Sequence, residues 1–161
     1  MTKNLLTVVF DCMIFLQGLI KERGAAVDCV EAFENGAVEL LVSEEILREI
    51  ADVLTRPKLQ ARFSLLTTER AERLLQTLRQ KATLINDVPP LFNYSRDPKD
   101  EKYINLAAFA KADYVVSRDN DLLDLMTHFT DEAKEFRQRF RPLRVIEPQK
   151  FLQIIKTKER Q

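Results

Sequence analysis

Residues 6–15 read LTVVFDCMIF, an apolar run with one carboxylate, Asp11, set among nine apolar or near-apolar neighbours. An ionised side chain costs several kcal/mol to bury alone, so a chain that places one here must pair it, use it as a ligand or bring it to an edge. Leu5 to Phe10 is short and valine-rich, the pattern of a strand buried on both faces of a parallel sheet. Asp11 then falls at the strand's carboxyl end, at the rim of the expected core.

Working outward, a helical stretch follows, and then AAVDCVEAFENG, where Ala26, Val30 and Phe33 recur at helical spacing and Gly36 can stop the helix. Val38 to Val42 predicts a second strand. Ser43 is placed to cap EEILREIADVL, whose Ile46, Leu47, Ile50 and Leu54 form one apolar stripe before Pro57 interrupts it. TTERAERLLQTLRQKA repeats the helix pattern with Ala71, Leu74, Leu75 and Leu78, and ATLIND predicts a short third strand. A proline-marked loop, DVPPLFNYSRDPKD, leads into the helix DEKYINLAAFAKA and the strand DYVVS. A polar helix from Asp131 to Arg139, a strand from Leu143 to Ile146 and a helix opened by Pro148 complete the pattern. Alternating strands and helices predict an α/β fold with a parallel sheet covered on both sides, in which ligands meet the carboxyl ends of the strands.

Totals narrow the function classes. The 161 residues are expected to form one domain over 1–161, able to bury roughly two thirds of the surface of the unfolded chain. With 45% hydrophobic and 31% charged residues, the composition is that of an ordinary globular protein, and no apolar run approaches a bilayer span. MTKNLLTVVFD lacks a cleavage site of small residues, so a cytoplasmic protein without a signal peptide is expected. Cys12 and Cys29 form no disulfide framework or CxxC motif, and His128 is the single histidine. Any metal would therefore be held by oxygen ligands, which favours Mg²⁺ or Mn²⁺. The formal net charge of zero argues neither for nor against a nucleic-acid partner.

The acids have structural readings one by one. Asp11 can cap the next helix, and Glu49 can lie on a solvated helix face beside Glu45. Asp97, Asp100 and Glu101 suit a helix N-terminus, with Asp97 as the cap and Pro98 at the first helical position. Asp119 and Asp121 suit a turn. Independent caps have no reason to converge on one sheet edge, however, and Asp11 and Asp119 both follow strands. Carboxylates brought together repel and call for a cation, and a divalent ion can polarise a phosphodiester and activate water.

VVFDCMIFL, SEEILREIADVLTRPKL and RDPKDEKYINLAAFAKADYVVSRDNDLLDL together resemble the PIN domain family, and more narrowly its branch of toxins from toxin–antitoxin systems related to VapC. The resemblance extends from Leu5 to about Phe151. It implies a three-layer α/β/α sandwich with a central parallel sheet, and a ribonuclease site of three or four acids that uses Mg²⁺ or Mn²⁺. By motif the acids are Asp11, Glu49, Asp100 and Asp119, with Asp11, Asp100 and Asp119 on the metal. Glu101 is the alternative third acid, and Ser117 and Asp121 support the site. The first block departs from the family's aspartate–threonine–asparagine: here it is Asp11, Cys12 and Met13. Changes of this kind around a metal cost 10- to 100-fold in affinity or activity.

RNA would need a basic groove with aromatic platforms. Candidates are Lys134, Arg137, Arg139, Arg141 and Arg144 beside Phe136 and Phe140, and a second cluster of Arg56, Lys58 and Arg62. The core reading is favoured for both phenylalanines, while the arginines fit solvated surface and groove alike. The resemblance further implies a small antitoxin protein and self-association as a homodimer. Two competing functions have definite signatures. Phosphotransferases of the haloacid dehalogenase type require an aspartate two positions after the first, where this chain has Met13. A catalytically weakened PIN-like module that binds RNA or protein would account for Cys12 and Met13.

Overall fold

The computed structural model describes residues 4–160, so the extreme ends of the expected 1–161 domain lie outside the described residues. Its elements are β1 (Leu6–Phe10), α1 (Cys12–Ile20), α2 (Ala25–Glu34), β2 (Val38–Val42), α3 (Glu44–Leu54), α4 (Pro57–Arg62), α5 (Thr68–Lys81) and β3 (Thr83–Leu84). After a long connection come a 3₁₀ turn (Pro98–Asp100), α6 (Glu101–Phe109), β4 (Tyr114–Val116), α7 (Asn120–Leu123), a second 3₁₀ turn (Asp124–Met126), α8 (Asp131–Phe140), β5 (Arg144–Ile146) and α9 (Pro148–Glu159).

The strands form one parallel sheet in the order β3-β2-β1-β4-β5, with helices on both faces, giving the expected α/β/α sandwich. From β1 the chain builds outward on one side through β2 and β3, then crosses to the other side for β4 and β5. The crevice between β1 and β4 is thus a topological switch point, where ligands enter such sheets. Register brings the two strand ends together. Phe10 lies beside Val116, and Asp11 N–H extends the ladder by donating to the Val116 carbonyl at 3.2 Å.

Local sequence explains most elements. Val8, Val9 and Phe10 are buried on both faces of β1. Ser43 Oγ accepts from Ile46 N–H at 3.2 Å and opens α3, which buries Ile46, Leu47, Ile50, Val53 and Leu54. Pro57 ends one helix and begins another: α3 stops at Leu54, and the proline takes the first position of α4, where its missing N–H costs nothing. α1 and α2 meet at Gly18, where a Cβ would stand 2.7 Å from Val30 Cγ2 and 3.3 Å from the Ala26 carbonyl oxygen.

Three expectations are adjusted. Of ATLIND only Thr83 and Leu84 form the strand, with Ile85 N–H adding one bond to the Val42 carbonyl at 2.9 Å. α6 ends at Phe109, short of Lys111, which takes a positive φ of 55°. Asp11 sits at the sheet edge as expected but is only 5% exposed, because α1 and the β4 end close over it. No helix among the described residues is long and apolar enough to cross a membrane.

Candidate metal centre

Asp11 is the cap of α1. Its Oδ1 accepts from Met13 N–H at 2.8 Å and Ile14 N–H at 3.3 Å, and its Oδ2 accepts from the Ser117 hydroxyl. Ser117, fully buried, follows β4 and also accepts from Asp119 N–H at 2.9 Å. One hydroxyl therefore ties the carboxylate after β1 to the backbone after β4. Asp119 caps α7 by accepting from Asp121 N–H at 2.9 Å.

The third segment of the site arrives from the long connection. Asp97 caps the 3₁₀ turn by accepting from Lys99 N–H at 3.2 Å, with Pro98 at its first position. The turn carries Asp100 inward to 9% exposure. One carboxylate oxygen from each of Asp97, Asp100 and Asp119 lies within 4.8 Å of the other two. Asp100 Oδ2 is buried without a hydrogen-bond partner.

The electrostatics are those of crowded anions. Burial, reinforced by the neighbouring Asp119 and Asp97 carboxylates, pushes the Asp100 carboxyl up to about 8. Burial pushes Asp11 up to about 6, with a smaller contribution from Asp119; the bonds from Ser117, Met13 and Ile14 pull the other way. An orphaned buried oxygen on Asp100, in a group of three converging carboxylates with no histidine or thiol, fits a hard divalent cation with oxygen ligands.

The remaining candidates are placed differently. Glu49, on α3, is taken up by others: Oε1 accepts from the Tyr103 hydroxyl, and Lys102 Nζ lies 2.7 Å from Oε2. The same Tyr103 oxygen accepts from Cys12 N–H at 3.1 Å, joining α1, α3 and α6. Burial raises the tyrosine's pKa, and it pushes the Cys12 thiol up to about 12. Glu101 Oε1 accepts from Tyr94 N–H at 2.9 Å, so this carboxylate serves the long connection. Asp121 Oδ1 is 2.6 Å from Arg96 Nε.

Among the basic residues, Arg56 pairs with Asp52 at 2.7 Å, while Lys58 and Arg141 are exposed. Arg137 donates to the Leu125 and His128 carbonyls, both at 2.7 Å, and is a clamp for the turn before α8. Arg139 lies 3.4 Å from Glu135 and stacks 4.7 Å over the Phe140 ring. Phe136 is fully buried and Phe140 packs against it and Phe92, so both belong to the core.

Asp97 is the residue that sequence reasoning passed over as a cap. It is a cap, and it also has a carboxylate oxygen in the acidic group. The signal was present in RDPKDE, two aspartates three positions apart, but helix capping accounts for that spacing by itself.

Comparison with known families and proteins agrees with this geometry. Residues 7–121 match the PIN domain. A similar protein is the uncharacterized protein MJ1680 of Methanocaldococcus jannaschii, 29% identical over 153 residues that cover 95% of this chain and 94% of that protein. PIN domains are in general nucleases and usually use a divalent metal, in keeping with the acidic group here. With the match spanning most of the sheet and all of the acidic group, the chain belongs to the PIN domain family.

Proposed function

We propose that this protein is a Mg²⁺- or Mn²⁺-dependent ribonuclease, a single PIN-like domain that hydrolyses phosphodiesters in RNA as the toxin of a toxin–antitoxin pair. The observation that carries the proposal is the buried, partnerless Asp100 Oδ2 among converging carboxylates at the carboxyl edge of a parallel sheet. Asp97, Asp100 and Asp119 would hold the ion, and Asp11 would add its charge from the adjoining strand end. A divalent ion bound there supplies charge neutralisation, polarisation of the phosphoryl group and an activated water.

The chain's own groups do the rest. Ser117 and the first N–H groups of α1 fix both oxygens of Asp11, so its carboxylate has a single orientation. Glu49, held by Lys102 and Tyr103, stands on α3 as a fifth acid whose direction is set before substrate arrives. Arg56, Lys58, Arg139 and Arg141 offer charge for the RNA backbone. A small antitoxin protein and a second copy of the chain are the partners expected from the likeness to VapC-type toxins.

A second reading has one observation in its favour. Glu49 is engaged by Lys102 and Tyr103 and not by the acidic group, which suits a PIN-like module that binds RNA or protein and hydrolyses poorly. The two readings part in one experiment. Chelated protein is reloaded with Mg²⁺ or Mn²⁺ and incubated with labelled single-stranded and structured RNA. Cleavage that EDTA and Asp11→Asn both abolish supports the ribonuclease; RNA retained uncut at every metal concentration supports the binding module.

A further inference from the structure

Residues 85–97 form no helix or strand, and a connection of that length inside a compact domain is uncommon unless it serves function or is disordered. This one is fastened along its second half. Leu91 and Phe92 N–H groups both donate to Asn105 Oδ1, at 3.0 and 2.8 Å. Phe92 is buried against Phe136 and Phe140. The N–H and the hydroxyl of Ser95 each donate to the Glu132 carboxylate at 2.8 Å. Arg96 spreads its fork over two carboxylates, Nε to Asp121 Oδ1 at 2.6 Å and Nη2 to Asp124 Oδ2 at 2.7 Å. The residue that follows is Asp97.

The two Arg96 ion pairs themselves do little for stability, because half-exposed ion pairs contribute little. Its effect is placement. A planar guanidinium held at two points fixes the direction of its own backbone, which a lysine ammonium cannot do. We propose that Arg96 is a positioning residue for the divalent ion: gripping Asp121 and Asp124, it sets the last turn of the connection so that Asp97 meets Asp100 and Asp119. The inference rests on the metal reading of the acidic group, which the buried, partnerless Asp100 Oδ2 supports independently of Arg96.

Charge and placement predict opposite signs. A guanidinium near a cation site repels the ion, so by electrostatics alone its removal tightens binding. If Arg96 acts by placing Asp97, its removal weakens binding.

The test is Mn²⁺ affinity of the whole protein, read by the loss of the free-ion electron paramagnetic resonance signal, for wild type, Arg96→Gln, Arg96→Lys, Asp97→Asn and the double variant Arg96→Gln with Asp97→Asn. Arg96→Gln is expected to weaken Mn²⁺ binding about tenfold. Arg96→Lys, which keeps the charge and the fold but loses the fork, is expected to weaken it too. In the Asp97→Asn background, Arg96→Gln is expected to have no further effect, as for two residues acting in series. Unchanged or tighter binding in the Arg96 variants, or additive losses in the double variant, overturns the inference while leaving the metal site standing. No Mn²⁺ binding by the wild type overturns the metal reading and this inference with it.

Discussion

Replacing Asp100 with asparagine is expected to stabilise the metal-free protein, and by more as the pH rises. Most buried polar substitutions destabilise, so the sign is diagnostic. The Asp100 carboxyl is 9% exposed, has one oxygen without a partner, and has its pKa raised from 3.8 to about 8 by burial, with Asp119 and Asp97 adding to the rise. A carboxyl whose folded pKa lies above its unfolded value favours folding fully below the unfolded pKa, and that contribution is lost as pH climbs to the folded pKa. Across that window the unfolded chain ionises the group while the folded chain keeps it neutral. Stability then falls by about 1.4 kcal/mol per pH unit.

The asparagine variant lacks this titration, so its advantage over wild type widens by up to about 3 kcal/mol between pH 5 and pH 7. For a chain of this size that is roughly 5–10 °C in melting temperature. Asp11, raised to about 6, has the same sign but is present in both proteins and largely cancels in the difference. The assay is thermal unfolding by circular dichroism in EDTA, at constant ionic strength, from pH 4.5 to 8. Added Mn²⁺ narrows the gap, since an ion at a hundred times its dissociation constant contributes about 2.7 kcal/mol to wild type and less to a variant that has lost a ligand oxygen. A wild-type–variant gap that does not change with pH, or that narrows as pH rises, refutes the account of a crowded, uncompensated acid group.

Three further outcomes are expected. Ser117→Ala removes the donor to Asp11 Oδ2 and the acceptor for Asp119 N–H in a fully buried place; it should cost about 1–3 kcal/mol in urea unfolding at pH 7, and an unchanged midpoint would sink the bridging role. Gly18→Ala forces a methyl to 2.7 Å from Val30 Cγ2 and should cost about 1–3 kcal/mol, partly recovered in a double variant with Val30→Ala; a neutral effect would show that α1 and α2 separate freely. Phe136→Ala, in the cluster with Phe92 and Phe140, should cost about 3–5 kcal/mol while the folded variant keeps its RNA affinity in a filter-binding titration. Loss of RNA binding with stability intact would instead make Phe136 a stacking platform.

Several of these features could be read before any coordinates, because they depend on neighbours in the chain. The valine-rich β1, the Ser43 cap with its stripe from Ile46 to Leu54, and the strand–helix alternation all rest on spacings of a few residues. So did the placing of Asp11 and Asp119 after strands, which brought them to one edge of a parallel sheet. The shortness of β3 and the early end of α6 were less legible. A paired edge depends on what lies across from it, and a helix end depends on what packs under its last turn.

The composition of the acidic group was decided only in three dimensions. Asp97 sits in a segment whose local reading, a capping aspartate before proline, is correct and accounts for the spacing from Asp97 to Asp100, so the sequence does not call for its second role. The hold on Glu49 comes from Tyr103 and Lys102, more than fifty positions away, and the Ser117 bridge to Asp11 spans more than a hundred. Local periodicity and capping energies place most elements along the chain, and they placed β1, β2 and α3 here from sequence. Which side chains then share one cavity depends on strand register and on how a long connection is fastened, and both are set by contacts between residues that the chain itself keeps far apart.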